Sequence, residues 1–240
     1  MQVRLPTFLR PAASLTLCRG CLGPVGAAAE AGLCARCWEG LLPLPEFRCP
    51  RCALSHEPEQ PCPEPVAWGY GDACWDYHGG RPPFGALLVP GIKEGEQGWK
   101  RALLGCVERE PLPPWTADVD LVTCAPTGPW RRFWRGFDLA EEVARSFAQR
   151  LQRPFVLTLE KPLWAKRQSG RTETQRRRLP RKALRLRASA SVEGRIVLLV
   201  DDVWTTGTTL LRCAQALESG GAKEVRVFTL FRALKAVPTE

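Results

Sequence analysis

The stretch "IVLLVDDVWTTGTTLLRCAQAL", Ile196 to Leu217, decides the reading of this chain. Five apolar residues from Ile196 to Val200 have the length and composition of a buried strand. The run ends in two carboxylates, Asp201 and Asp202. Four threonines then surround Gly207, and the spacing predicts a helix from Thr208 to Ser219, closed by Gly220 and Gly221. Thr205, Thr206, Gly207, Thr208 and Thr209 offer hydroxyls and successive backbone N–H groups at a helix N-terminus, which is a phosphate cradle. The G-x4-G-K pattern of the Walker loop is absent, as is the dinucleotide fingerprint. Asp201 and Asp202 stand about a sugar's width away, and two carboxylates there accept hydrogen bonds from a cis-diol or hold Mg²⁺ through water. The loop therefore asks for a phosphosugar with free hydroxyls.

Around this stretch the pattern alternates. "DVDLVTCAP" (118–126) reads as a buried strand, "FDLAEEVARSFAQRL" (137–151) as an amphipathic helix with acids at its start, and "PFVLTL" (154–159) as a short strand. "EVRVFTLF" (224–231) reads as a further strand. Such α/β alternation implies a parallel sheet, whose ligands sit beyond the carboxyl ends of the strands. Upstream, "VAWGYGDACWDY" (66–77) is strand-like, "RPPFGALLVPGIKEGEQG" (81–98) reads as a loop-rich crossing that carries Lys93, and 97–109 as a helix.

Eleven cysteines and two histidines among 240 residues nearly exclude multi-histidine chemistry. Cys18, Cys21, Cys34 and Cys37 form C-x2-C, twelve residues, C-x2-C, the donor set and spacing of a closed, structural zinc site. Cys49, Cys52 and Cys62 begin a second set, but Pro65 stands where a fourth cysteine would fall. His56 or Cys74 could complete it, or it holds nothing, and the reading favours a single zinc. Cys106, Cys124 and Cys213 read as small core residues.

The formal charge is +9, and Lys161 to Arg195 alone hold 12 Lys/Arg against 2 Asp/Glu, so the rest of the chain is near neutral. Within it, Lys161 to Arg187 reads as a loop that leads to a short helix. It needs an anionic partner or solvent. No apolar run approaches the ~20 residues of a membrane span, and the N-terminus is a poor signal peptide. A cytoplasmic protein is expected, divided into a cysteine-rich module over 15–64 and an α/β domain over 66–235.

"VLLVDDVWTTGTTL" resembles the signature of type I phosphoribosyltransferases, and nearly all of 15–235 is similar to the ComF (competence protein F) branch, in which a zinc ribbon precedes a phosphoribosyltransferase-like domain. "RGFDLAEEVAR" and "GRTETQ" with its arginine-rich sequel carry the same resemblance. It implies that Asp201 and Asp202 take the ribose hydroxyls of phosphoribosyl pyrophosphate, and that Thr205 to Thr209 take its 5′-phosphate. It also implies that Arg131, Arg132 or Arg135 faces pyrophosphate, and that Arg167, Arg171 and Gln175 belong to a closing loop. The chain departs from the family in having no asparagine downstream of that loop.

Three functions follow as expectations. The family name implies help with uptake of single-stranded DNA at the inner membrane, beside DNA-uptake machinery proteins. The basic segment and Trp130, Trp134 and Trp164 fit such a strand. The cradle fits equally a transferase acting on a nucleobase or amine, or a non-catalytic sensor of phosphoribosyl pyrophosphate.

Overall fold

The computed structural model describes residues 17–25, 32–80, 83–95, 97–127, 137–161 and 184–234. In chain order its elements are α1 (Ala35–Glu39), β1 (Tyr70–Asp76), α2 (Phe84–Glu94), α3 (Gln97–Val107), a 3₁₀ turn (Pro114–Thr116) and β2 (Leu121–Cys124). There follow α4 (Leu139–Leu151), β3 (Leu159–Glu160), β4 (Arg185–Leu186), β5 (Ile196–Trp204), α5 (Thr208–Ser219) and β6 (Glu224–Arg232).

The central sheet has the order β1-β6-β5-β2, and every pair in it is parallel. β2, β5 and β6 are buried along most of their length because helices cover both faces, whereas the edge strand β1 alternates. Along β5 the side chains are sorted between the two faces. Ile196, Leu198 and Val200 enter one apolar cluster with α2, α3 and α4, while Val197 and Leu199 enter a second with α5. All four strands thus end at one edge, and β5 delivers Asp201 and Asp202 there. The expected α/β class and parallel sheet are present.

Local chemistry sets the ends of the helices. Asp138 caps α4, its carboxylate accepting from Ala140 N at 3.1 Å, with Glu141 and Glu142 in the first turn. Past Val122, the backbone at Pro154–Val156 adds only a short parallel bridge at Phe155. The expected strand over 154–159 is therefore split, and Leu159–Glu160 turns away to pair antiparallel with Arg185–Leu186.

Two expectations fail. The supposed loop over 81–98 contains helix α2, with Gly85, Leu88, Val89 and Ile92 buried on one side. This i, i+3, i+4, i+7 stripe outweighs the interior Pro90, which is exposed and costs about 3 kcal/mol in a helix. Gly95, at φ 117°, then ends the helix. At the end of the basic segment, Arg185–Leu186 is strand where a helix was expected, and Arg185 pairs with Glu160 at 2.6 Å. Residues 162–183 of the segment lie outside the described residues.

Candidate phosphosugar site and metal clusters

The turn after β5 is built around Gly207. At φ 69° it lies in the left-handed region, and a Cβ there would sit 2.9 Å from Trp204 Nε1. Glycine is thus required twice, by backbone conformation and by close approach. Gly207 is the N-cap of α5 and supplies no side-chain cap, so the first amides of the helix keep their hydrogen-bonding capacity for a ligand. Thr206 and Thr208 hydroxyls meet at 2.9 Å and stiffen the turn. Asp201 and residues 203–210 line a cleft of about 130 Å³. Among the described residues the buried indole N–H of Trp204 has no hydrogen-bond partner.

The carboxylates behave as a pair. Asp201 accepts a hydrogen bond from Asp202 N at 2.9 Å. Burial and the charge of Asp202 raise the Asp201 pKa to about 7, although Lys93 and Lys161 pull the other way. Asp202 forms an ion pair with Lys93 of α2. Lys93 was missed as a site residue because its segment read as a loop.

Behind the turn lies Arg232, fully buried at the end of β6. Its guanidinium donates to Cys52 O at 3.1 Å, Trp204 O at 3.1 Å and Thr205 O at 2.6 Å, and pairs with Glu64 at 2.7 Å. It also stacks over the Trp204 ring at 4.4 Å. Burial lowers the Arg232 pKa and the Glu64 charge opposes the shift. Trp204 also meets Trp68 edge-on at 5.2 Å. Neither Trp204 nor Arg232 is singled out by sequence, since each looks like a strand residue.

Two donor clusters stand upstream. Cys18, Cys21, Cys34 and Cys37 bring their sulfurs within 4.8 Å of one another. The Cys21–Cys34 sulfur separation of 3.7 Å matches the roughly 3.8 Å edge of a tetrahedron with ~2.3 Å metal–sulfur bonds. Burial pushes the Cys18 thiol up, but N–H groups of Cys34, Cys21 and Gly20 outweigh it and bring the pKa down to about 6, which favours the ligating thiolate.

The second cluster is complete as well. Its fourth donor, left open by the spacing, is His56, which joins Cys49, Cys52 and Cys62 within the same 4.8 Å limit. A second four-donor set is thus within reach of a metal, with His56 rather than Cys74 as the fourth donor. The two knuckles repeat each other: Leu22 N donates to Cys18 O and Ala53 N to Cys49 O, both at 2.9 Å. Leu22 and Ala53 share positive φ of 59° and 56°. Cys49 and Cys62 sulfurs are 3.8 Å apart, again a tetrahedral edge. His56 Nδ1 lies 2.9 Å from Glu57 O, a bond that places the proton on Nδ1 and leaves the Nε2 lone pair facing Cys52 at 3.3 Å. Cys74 is outside the cluster, and burial pushes its thiol well up. Cys106, Cys124 and Cys213 are buried in the core, as expected.

Asp201, Asp202 and Thr205–Thr209 are therefore brought together at one sheet edge. Arg131, Arg132, Arg135, Arg167, Arg171 and Gln175 lie outside the described residues, as do Trp130, Trp134 and Trp164.

Comparison with known proteins agrees with this geometry. Residues 135–238 match the family described as "Phosphoribosyl transferase domain". A 36-residue stretch is 50% identical to competence protein ComFC of Streptococcus pneumoniae, covering 15% of this chain and 16% of that protein. The match thus spans under one fifth of the relative's length. Among solved structures, a glutamine phosphoribosylpyrophosphate amidotransferase from B. subtilis is 26% identical over 53% of this chain and 25% of its own, with a TM-score of 0.37. An orotate phosphoribosyltransferase from Aeropyrum pernix is 21% identical over 58% of this chain and 62% of its own, with a TM-score of 0.35. At those scores the superpositions carry no weight, and the fold rests on the sheet order and the matched domain.

Proposed function

We propose that this chain, which joins a phosphoribosyl transferase domain over 135–238 to an N-terminal cysteine-rich module in the ComF-type arrangement, binds phosphoribosyl pyrophosphate and assists the uptake of single-stranded DNA. The module is taken as 15–64 and the ligand-binding domain as 66–235. The observation that carries the reading is the juxtaposition of Asp201 and Asp202 with an uncapped helix N-terminus and its threonine turn.

In this reading the 5′-phosphate accepts from the amides and hydroxyls of Thr205 to Thr209, and the α5 dipole favours its charge. The ribose hydroxyls donate to Asp201 and Asp202, and Lys93 yields part of its hold on Asp202 as they do. Arg131, Arg132 or Arg135 neutralises pyrophosphate, and a loop bearing Arg167, Arg171 and Gln175 excludes water. Mg²⁺ held through water by Asp201 and Asp202 would screen the pyrophosphate charge. The metal clusters fit zinc by donor type and by sulfur separation, and no described helix is long and apolar enough to cross a membrane. Work at the cytoplasmic face of the inner membrane would then depend on partners from the uptake machinery.

The DNA arm rests on the charge of 161–195 and on the relative's name. It is tested by the salt dependence of oligonucleotide binding. Neutralising Arg176, Arg177 and Arg178 should lower the slope by about two to three. An unchanged slope would leave the segment as a ligand lid only. The intact carboxylate pair also supports a second reading, transfer to a nucleobase or amine acceptor. Release of pyrophosphate that depends on an added acceptor would establish it, and ligand binding without such release would favour the sensor.

A further inference from the structure

Arg232 joins two parts of the molecule that have no common chemistry. Its Nε binds the carbonyl of Cys52, a donor of the second cluster, and its Nη1 binds the carbonyls of Trp204 and Thr205, which open the phosphate turn. Its charge partner Glu64 lies two residues beyond Cys62, the last donor. The same knuckle makes two more contacts. Arg51 O accepts from Trp68 Nε1 at 2.7 Å, and Trp68 packs edge-on against Trp204. Pro50 O accepts from Gly71 N at 2.8 Å, and Gly71 is held so close to Arg51 O that a Cβ would lie 2.5 Å from it.

We propose that a metal ion held by Cys49, Cys52, His56 and Cys62 sets the shape of the 205–209 turn, so that metal occupancy and anion binding there are coupled. The chain between Cys52 and Cys62 is largely exposed from Ser55 to Pro61, so packing contributes little to its path. Four metal bonds fix that path and, with it, the positions of Cys52 O and Glu64. Without them the buried guanidinium loses the geometry of two partners. It must keep its remaining bonds to Trp204 and Thr205 carbonyls or follow the loosened module, and either change moves the backbone that cradles the anion. The described donors of the first cluster pack elsewhere. Cys18 and Cys37 pack in the other apolar cluster, and Gly20 lies against Trp99 of α3. Coupling of this kind is reciprocal: bound anion should tighten metal binding by the same factor as metal tightens anion binding.

The test uses the full chain. His56→Ala and Cys62→Ser disable the second cluster, and Cys21→Ala, at an exposed donor of the first, is the control with equal metal loss. Zinc content, hydrogen exchange of the 205–210 amides and ribose 5-phosphate affinity are read on each, with exchange of the buried 197–200 amides to confirm folding. Wild type should hold two zinc ions per chain and each variant fewer. The 205–210 amides should exchange faster in His56→Ala and Cys62→Ser alone, and their affinity for ribose 5-phosphate should fall by about tenfold. A wild type with one zinc, or 205–210 exchange unaltered by loss of the second metal, overturns the proposal. Only the affinity readout rests on the phosphosugar reading; exchange reports the coupling even if ribose 5-phosphate does not bind.

Discussion

Lys93 of α2 places its ammonium on the Asp202 carboxylate, at the mouth of the turn that follows β5. The same ammonium also lowers the Asp201 pKa. Replacing Lys93 with Met should therefore raise the pH at which phosphosugar binding is half lost to acid. Calorimetric affinities across pH 5.5 to 8.5 measure this, and an unmoved midpoint would mean that Lys93 does not sense the pair.

Asp201 gives stability and binding opposite pH trends. Its folded pKa of about 7 lies above the ordinary 3.8, so between these values the folded chain holds a proton that the unfolded chain has lost. Its contribution to stability is full below the unfolded value and is lost as pH rises through the folded one. Diol binding needs the ionised form and strengthens over the same rise. Denaturant melts should show wild-type stability falling from about pH 4 to 7, and levelling above that, relative to Asp201→Asn. Parallel curves for the two proteins would contradict the assignment.

Gly207→Ala should destabilise by roughly 1–2 kcal/mol from the left-handed backbone alone, with a further loss from contact with Trp204. Gly194 has a similar φ of 67°, but open space around its Cβ position, so Gly194→Ala isolates the backbone part. Only Gly207→Ala should also weaken phosphate binding. Equal melting shifts and equal ligand affinities would show that the approach to Trp204 is not tight.

Arg232→Met removes a fully buried cation together with its ion pair to Glu64 and its hydrogen bonds to several carbonyls, which should cost about 3–5 kcal/mol. Arg232→Lys should recover little, because a single ammonium cannot span the fork from Cys52 O to Thr205 O. Urea melts of the three proteins decide it, and full recovery with lysine would reduce Arg232 to a point charge.

The strand, turn and helix from Ile196 to Ser219 were legible because apolar run, acids, glycine and helix period all agree over a short span. Helix α2 was not, since Pro90 and three glycines in 85–95 signal a loop locally, and only burial against the sheet overrides them. His56 could be named as a candidate fourth ligand but not chosen, because the path of the chain between Cys52 and Cys62 decides which side chain returns to the cluster. Arg232 was illegible for a stronger reason: its partners lie 28 and 180 residues away, and nothing local marks an arginine in an apolar strand as buried.

Asp201, Asp202 and the threonine turn are proposed to bind a phosphosugar. Calorimetric titration of phosphoribosyl pyrophosphate with Mg²⁺ into wild type and into Asp201→Asn, Asp202→Asn tests it most directly. Saturable binding at one site per chain is expected, lost or weakened by at least about a hundredfold in the double variant. No heat from a folded wild type, or equal affinity in both proteins, would contradict it.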